Sequence, residues 1–212
     1  MHDVSELVEG YHRFLAARYR REAALYRALA EEGQAPRVMV IACCDSRVDP
    51  AAIFDAGPGQ LFILRNVANL VPSFESRGHY HGTSAALEFA VTGLDVETIL
   101  VMGHARCGGV RAFLDGRHAP AAEGGFIGRW LSLLDGVRRE TMPDSAADPG
   151  EDPQRALEHA SIRHSIRNLG TFPFVRERLA AGHLRLRGAY FDIADGRLLA
   201  LDPESGRFRA VD

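Results

Sequence analysis

Two short stretches hold most of the residues able to do chemistry. In "IACCDSRVDP" the adjacent thiols Cys43 and Cys44 precede an Asp-Ser-Arg run, and in "GHARCGG" His104 and Cys107 stand just before Gly108 and Gly109. Alternate side chains of an extended chain share a face, so Cys43, Asp45 and Arg47 point one way and Cys44 and Ser46 the other, as far as the strand runs. A thiolate, a carboxylate and a guanidinium in one row form an ordered set. The guanidinium holds the carboxylate ionised and fixes its orientation through paired hydrogen bonds. His104 and Cys107, at a strand-to-helix junction, fall on one side, and the glycines let backbone approach a bound group closely. Together Cys43, His104 and Cys107 offer two thiolates and one imidazole. Three protein ligands with a fourth position open is the arrangement of a catalytic zinc, whereas a structural zinc closes its shell with four. Cys44 is read as a small buried hydrophobe, the common state of a strand cysteine. His79 and His81, in "GHYHG", are read as surface histidines, with proton export as their alternative role.

These residues need a scaffold that brings strand ends together. "RVMVIA" (37–42), "LFILR" (61–65) and "TILVMG" (98–103) are short apolar runs of the kind that buried parallel strands show. "SAALEFAVTGL" (84–94) reads as a helix between two of them, and the alternation predicts a parallel sheet with right-handed crossovers. Both chemical stretches then lie at carboxyl ends of strands, where open α/β sheets bind ligands. Upstream, Leu7, Tyr11, Phe14, Leu15, Leu25, Tyr26 and Leu29 recur at helical spacing from Asp3 to about Glu32, predicting one or two amphipathic helices. Downstream, "FIGRWLSLLDGVRRE" (126–140) and "QRALEHASIRHSIRNL" (154–169) read as helices, the Pro-rich acidic stretch 141–153 as a surface loop, and "HLRLRGAYFDI" with "RLLALD" as a closing hairpin.

The chain has 212 residues, 46% of them apolar, a formal net charge of −3 and three cysteines. That is enough for one α/β domain spanning 1–212, with a helical arm over about 1–33. The scattered basic residues exclude a nucleic-acid footprint. No apolar run approaches a membrane span and the first residues lack a leader pattern, so the expectation is a soluble, cytoplasmic chain with a small-molecule partner. Adjacent cysteines and an odd count argue against disulfides and for metal binding or reactive thiols.

"ACCDSR" and "GHARCGG" resemble the Cys-x-Asp-x-Arg and His-x-x-Cys zinc signatures of the β-class carbonic anhydrases. "PGQLFILRNVANLV" and "GTSAALEFAV" resemble the family between them, and "NLGTFPFVRERL" and "RGAYFDI" extend the likeness across most of the chain. The resemblance implies an α/β fold with a central, mostly parallel β-sheet flanked by helices, and N-terminal helices packed on a partner subunit. It implies one Zn2+ per subunit on Cys43, His104 and Cys107, with Asp45 and Arg47 as the catalytic dyad. Gln34 and the Gly108 backbone N–H would contact substrate, and Phe62 and Val67 would line an apolar pocket, with Phe89 where the plant-like branch commonly has Tyr. The implied reaction is reversible hydration of carbon dioxide to bicarbonate and a proton, by hydroxide generated at the zinc. A homodimer or assembly of dimers is implied, because parts of the family's pocket come from a neighbouring subunit. Val40 stands where the other branch, which has an inhibitory bicarbonate site, carries Trp, so the resemblance favours the open-zinc branch. The rival readings are a zinc hydrolase of carbonyl sulfide or carbon disulfide and a non-catalytic zinc module.

Overall fold

Apolar β-branched runs without polar alternation can pair only where both faces are covered, and this chain builds its sheet from them. A computed structural model describes residues 4–77, 81–116, 125–141 and 152–211. Strands β1 (Val38–Cys43), β2 (Leu61–Asn66), β3 (Thr98–His104), β4 (Arg185–Asp192), β5 (Arg197–Leu201) and β6 (Phe208–Ala210) form one sheet in the order β2-β1-β3-β4-β5-β6. The first four are parallel and the last two antiparallel, so the expected mostly parallel sheet is present. Strand β6 has no counterpart in the sequence reading. Within β1, Met39 and Ile41 join one core cluster and Val40 and Ala42 another, the period-two division of a strand buried on both faces.

The helices are α1 (Val4–Phe14), α2 (Arg20–Glu32), α3 (Pro50–Ile53), α4 (Gly82–Glu88), α5 (Gly108–Leu114), α6 (Phe126–Leu131), α7 (Leu134–Thr141), α8 (Pro153–Leu169) and α9 (Pro173–Ala180). A π-helical turn, Leu15–Tyr19, joins α1 to α2, and another, Phe89–Gly93, prolongs α4. The helix expected over 126–140 breaks between Leu131 and Leu134, which lets both leucines be fully buried. Helix α8 packs on β3 and β4 and is capped by the Asp152 carboxylate, which accepts from the Gln154 N–H. Residues 142–151, most of the expected acidic loop, and His79 lie outside the described residues. No described helix is long and apolar enough to cross a membrane.

The N-terminal arm behaves differently from the rest. Helices α1 and α2 bury no residue, and Leu7, Val8, Tyr11 and Leu25 of their apolar stripe are exposed. Leu29 does reach the sheet domain, where its methyls would meet a Cβ added to Gly59 at 2.8 Å.

Candidate metal centre and active site

Neighbouring parallel strands bring Cys43 and His104 together, because β1 ends on the cysteine and β3 on the histidine. Past His104 the chain turns through Arg106, at φ 56°, and returns Cys107 as the residue preceding α5. The ligand atoms of Cys43, His104 and Cys107 all lie within 4.8 Å of one another, and all three residues are buried. The two Sγ atoms are 3.9 Å apart.

This donor set suits a dication such as zinc. His104 Nδ1 lies 3.0 Å from the Ala105 carbonyl, so in the tautomer that donates there Nε2 is a lone-pair donor. That Nε2 is buried and has no hydrogen-bond partner, a cost that a bound ion would remove. The thiols interact strongly. The hydrogen bond from Cys107 draws Cys43 down to about 4 against the opposing effect of burial, and the same bond, with burial, pushes Cys107 up. The pair therefore loses one proton easily and resists losing the second until a cation supplies the missing charge. For His104, burial is the largest effect and disfavours the charged form, but the nearby Cys43 sulfur, the Ala105 carbonyl and the Asp45 carboxylate together outweigh it, and its pKa is raised.

Asp45 stands beside this group, with Oδ2 3.9 Å from His104 Nε2. Arg47 binds it in a fork, Nε to Oδ1 at 2.9 Å and Nη2 to Oδ2 at 2.7 Å, and also donates to the Arg106 carbonyl at 3.1 Å. These hydrogen bonds hold the Asp45 carboxyl well below the usual carboxylate range, against a smaller effect of burial. The pairing is not produced by strand alternation. Strand β1 stops at Cys43, and Asp45 and Arg47 belong to a turn in which the Arg47 N–H donates to Asp45 Oδ1 at 3.0 Å and the Val48 N–H to the Asp45 carbonyl at 3.1 Å. An aspartate closing its own turn replaces the row of side chains expected from an extended chain.

Cys44 also departs from expectation. It is exposed rather than buried, because the chain leaves the sheet at that residue. It lines an apolar cleft of about 650 Å³ together with Val67, His81, Thr83, Phe126 and Trp130. The Trp130 indole N–H fastens one wall by donating to the Val67 carbonyl at 2.8 Å. Phe62 and Phe89 contact each other, centroids 5.9 Å apart, and are not among the residues of this cleft. Gln34 is exposed in the segment after α2. Gly108 has open space above its Cα, whereas a Cβ on Gly109 would meet Val67 Cγ1 at 2.8 Å and Ala68 Cβ at 3.1 Å. The two adjacent glycines thus differ: the first leaves room and the second permits close packing.

Two further residues escape the sequence reading. Arg65 donates to the carbonyls of Cys43 at 2.8 Å, Asp45 at 2.6 Å and Val48 at 3.3 Å, and to Asp49 Oδ2 at 3.2 Å. One guanidinium thereby shapes the whole loop that carries Cys43 and Asp45. A cation inside the apolar run "LFILR" was a usable signal, since a half-buried charge needs acceptors. Glu158, buried in α8, accepts from the Cys107 N–H at 2.8 Å, Gln154 Nε2 at 2.9 Å and the Tyr190 hydroxyl at 2.7 Å. Burial raises its pKa against those three bonds. Nothing in "RALEHAS" distinguishes it from a solvated glutamate.

Residues 38–198 match the family model described as carbonic anhydrase. The chain is 35% identical over 195 residues to beta carbonic anhydrase 3 of Arabidopsis thaliana, covering 91% of this chain and 74% of that protein. Among solved structures it resembles the β-carbonic anhydrase CcaA, with a TM-score of 0.89 and 31% identity over 98% of this chain and 92% of that one. A tetrameric β-carbonic anhydrase from Sordaria macrospora superposes with a TM-score of 0.80 and 28% identity, over 97% and 98% of the two chains.

Proposed function

The chain belongs to the β-class carbonic anhydrases, zinc enzymes with carbonate dehydratase activity, and from that premise we propose that Cys43, His104 and Cys107 hold the zinc while Asp45 and Arg47 direct the hydration of carbon dioxide. The observation that carries this is the buried, unpartnered Nε2 of His104 facing two thiols 3.9 Å apart, with the Asp45 carboxylate 3.9 Å from that nitrogen.

Carbon dioxide is a neutral electrophile, and zinc, when bound, supplies the Lewis acidity that makes hydroxide available near neutral pH. Two thiolate ligands cancel the ion's formal charge, so the protein must contribute orientation as well. Asp45, ionised by Arg47, can only accept hydrogen bonds. It would therefore accept a hydrogen bond from the hydroxyl of the nucleophile and leave a lone pair directed at the carbon. The Gly108 amide, with open space above it, and Gln34 contact the substrate oxygens. Phe62, Val67 and Phe89 supply the apolar surface that admits carbon dioxide and excludes bulk water. Gln34 and Phe89 are exposed in a single chain, so their part in the pocket is completed against a second subunit. The uncovered stripe of Leu7, Val8, Tyr11 and Leu25 supports a homodimer or an assembly of dimers in which the arm packs on its neighbour. One catalytic domain over 1–212 and a reducing, cytoplasmic setting that keeps Cys43 and Cys107 as thiols complete the reading.

Stopped-flow hydration of carbon dioxide with metal analysis of the same sample tests it, with carbonyl sulfide and carbon disulfide assayed in parallel. Stoichiometric zinc without carbon dioxide hydration between about pH 7 and 9 would overturn the proposal.

A further inference from the structure

The sheet holds two of the three proposed metal ligands. Cys43 ends β1 opposite Asn66 of β2, and His104 ends β3 opposite Phe191 of β4, so the ladders of parallel neighbours fix both backbones. Cys107 has no ladder. It lies beyond the end of β3, past a turn in which Arg106 takes a left-handed φ of 56°, and is itself extended, at φ −63° and ψ 122°, just ahead of α5. A thiol carried there moves with its loop unless something else holds its peptide groups.

Helix α8 supplies that hold. Glu158, only 3% exposed, accepts through Oε1 from the Cys107 N–H at 2.8 Å. Gln154, one turn earlier on the same face of the helix, donates through Nε2 to the Cys107 carbonyl at 3.2 Å and to Glu158 Oε1 at 2.9 Å. One pair of side chains thus grips both backbone groups of a single residue. Tyr190, buried on β4, locks the remaining oxygen by donating its hydroxyl to Glu158 Oε2 at 2.7 Å. A carboxyl takes these three bonds at once on two oxygens, whereas an apolar residue would leave the Cys107 N–H and the Tyr190 hydroxyl buried without this partner. Joining α8 to β4 needs the Tyr190 bond alone. The contacts on the Cys107 peptide groups serve a different end.

We propose that Glu158 and Gln154 form a clamp that positions Cys107, keeping its thiolate in register with Cys43 and His104, and that Glu158 is therefore a positioning residue for the metal centre. This inference rests on Cys107 being a zinc ligand. Partners that orient metal ligands from behind are worth about 10–100-fold in metal affinity or activity.

The full chain loaded with Co2+ as a spectroscopic probe, together with zinc affinity from competition with a chelating dye, tests the clamp separately from the ligand assignment. In the wild type a sulfur-to-cobalt charge-transfer band is expected that weakens in Cys107→Ser. Glu158→Leu keeps bulk and removes the acceptor, and is expected to lose about tenfold or more in zinc affinity and to alter the cobalt d–d bands. Glu158→Gln retains an acceptor for the Cys107 N–H and is expected to return the wild-type spectrum and an affinity within about threefold of it. Ser165→Ala removes bonds that the same helix makes to the Val71 N–H and the Asn69 carbonyl, and is expected to change neither readout. If Glu158→Leu does not fold by circular dichroism, the half-buried Gln154→Leu makes the same comparison, with an expected loss of about threefold or more. A wild-type spectrum indifferent to Cys107→Ser overturns the ligand assignment and this inference with it. With that dependence present, the clamp alone is overturned by unchanged affinity and spectrum in the folded Glu158→Leu or Gln154→Leu variant, by an equal loss in Ser165→Ala, or by no rescue in Glu158→Gln.

Discussion

Arg47 grips both carboxylate oxygens of Asp45, at 2.9 and 2.7 Å, while its own backbone N–H donates to Oδ1 at 3.0 Å. The aspartate can neither rotate nor take up a proton without breaking several bonds. Its depressed pKa means that the ionised form, and the stability its bonds provide, persist above the ordinary carboxylate range and are lost only as pH falls through the lowered value. Asp45→Asn is expected to keep zinc and lose about a hundredfold in kcat for carbon dioxide hydration. A pH–rate limb between pH 6 and 9 in the wild type is expected to come from other groups, and full activity in the zinc-replete variant would remove Asp45 from the mechanism.

Cys43 and Cys44 offer a comparison between adjacent thiols. Cys43 is buried beside Cys107, and Cys44 is exposed on the apolar cleft. Cys43→Ser is expected to purify with little zinc and no measurable hydration, whereas Cys44→Ser keeps both. Mass spectrometry after brief treatment with a maleimide should find Cys44 modified first.

Arg65 contacts no candidate ligand side chain, yet it fastens three carbonyls of the loop bearing Cys43 and Asp45. Arg65→Met retains bulk and removes those donors. The expected outcome is retained zinc with kcat reduced about tenfold, since a small misplacement of an orienting group is costly in rate.

Gly109 sits where a side chain would enter Val67 and Ala68. Gly109→Ala is expected to cost about 1–3 kcal/mol in denaturant unfolding. Gly108→Ala meets nothing within 4 Å, so it should spare stability and lower the rate if substrate uses that space.

His159 predicts a slope in stability with pH. Its folded-state pKa of about 4 lies below the ordinary 6.5, so between these values the unfolded chain binds the proton and the folded one does not. Its contribution is complete above pH 6.5 and declines as pH falls toward 4. Thermal melts of wild type and His159→Phe across that window should show the slope reduced in the variant.

The elements most legible in the sequence are those whose residues are apolar on both faces. "RVMVIA", "LFILR" and "TILVMG" became β1, β2 and β3 because such runs have few alternatives to a covered sheet. The short β6 and the break between α6 and α7 were not legible, since each depends on what it packs against. For the site, residue types and spacing selected Cys43, His104 and Cys107, which the fold brings together. Asp45 and Arg47 do meet, but through a turn rather than along a strand.

The amino-acid sequence alone determined which donor atoms this protein has and that both clusters lie at carboxyl ends of parallel strands, because ligand chemistry and strand periodicity are local properties. Tertiary structure alone decided that Cys44 faces a cleft and that Arg65 and Glu158 brace the two ligand-bearing segments. Each of these depends on contacts between residues distant in the chain, and a buried charge looks like a solvated one until the groups that satisfy it are in place.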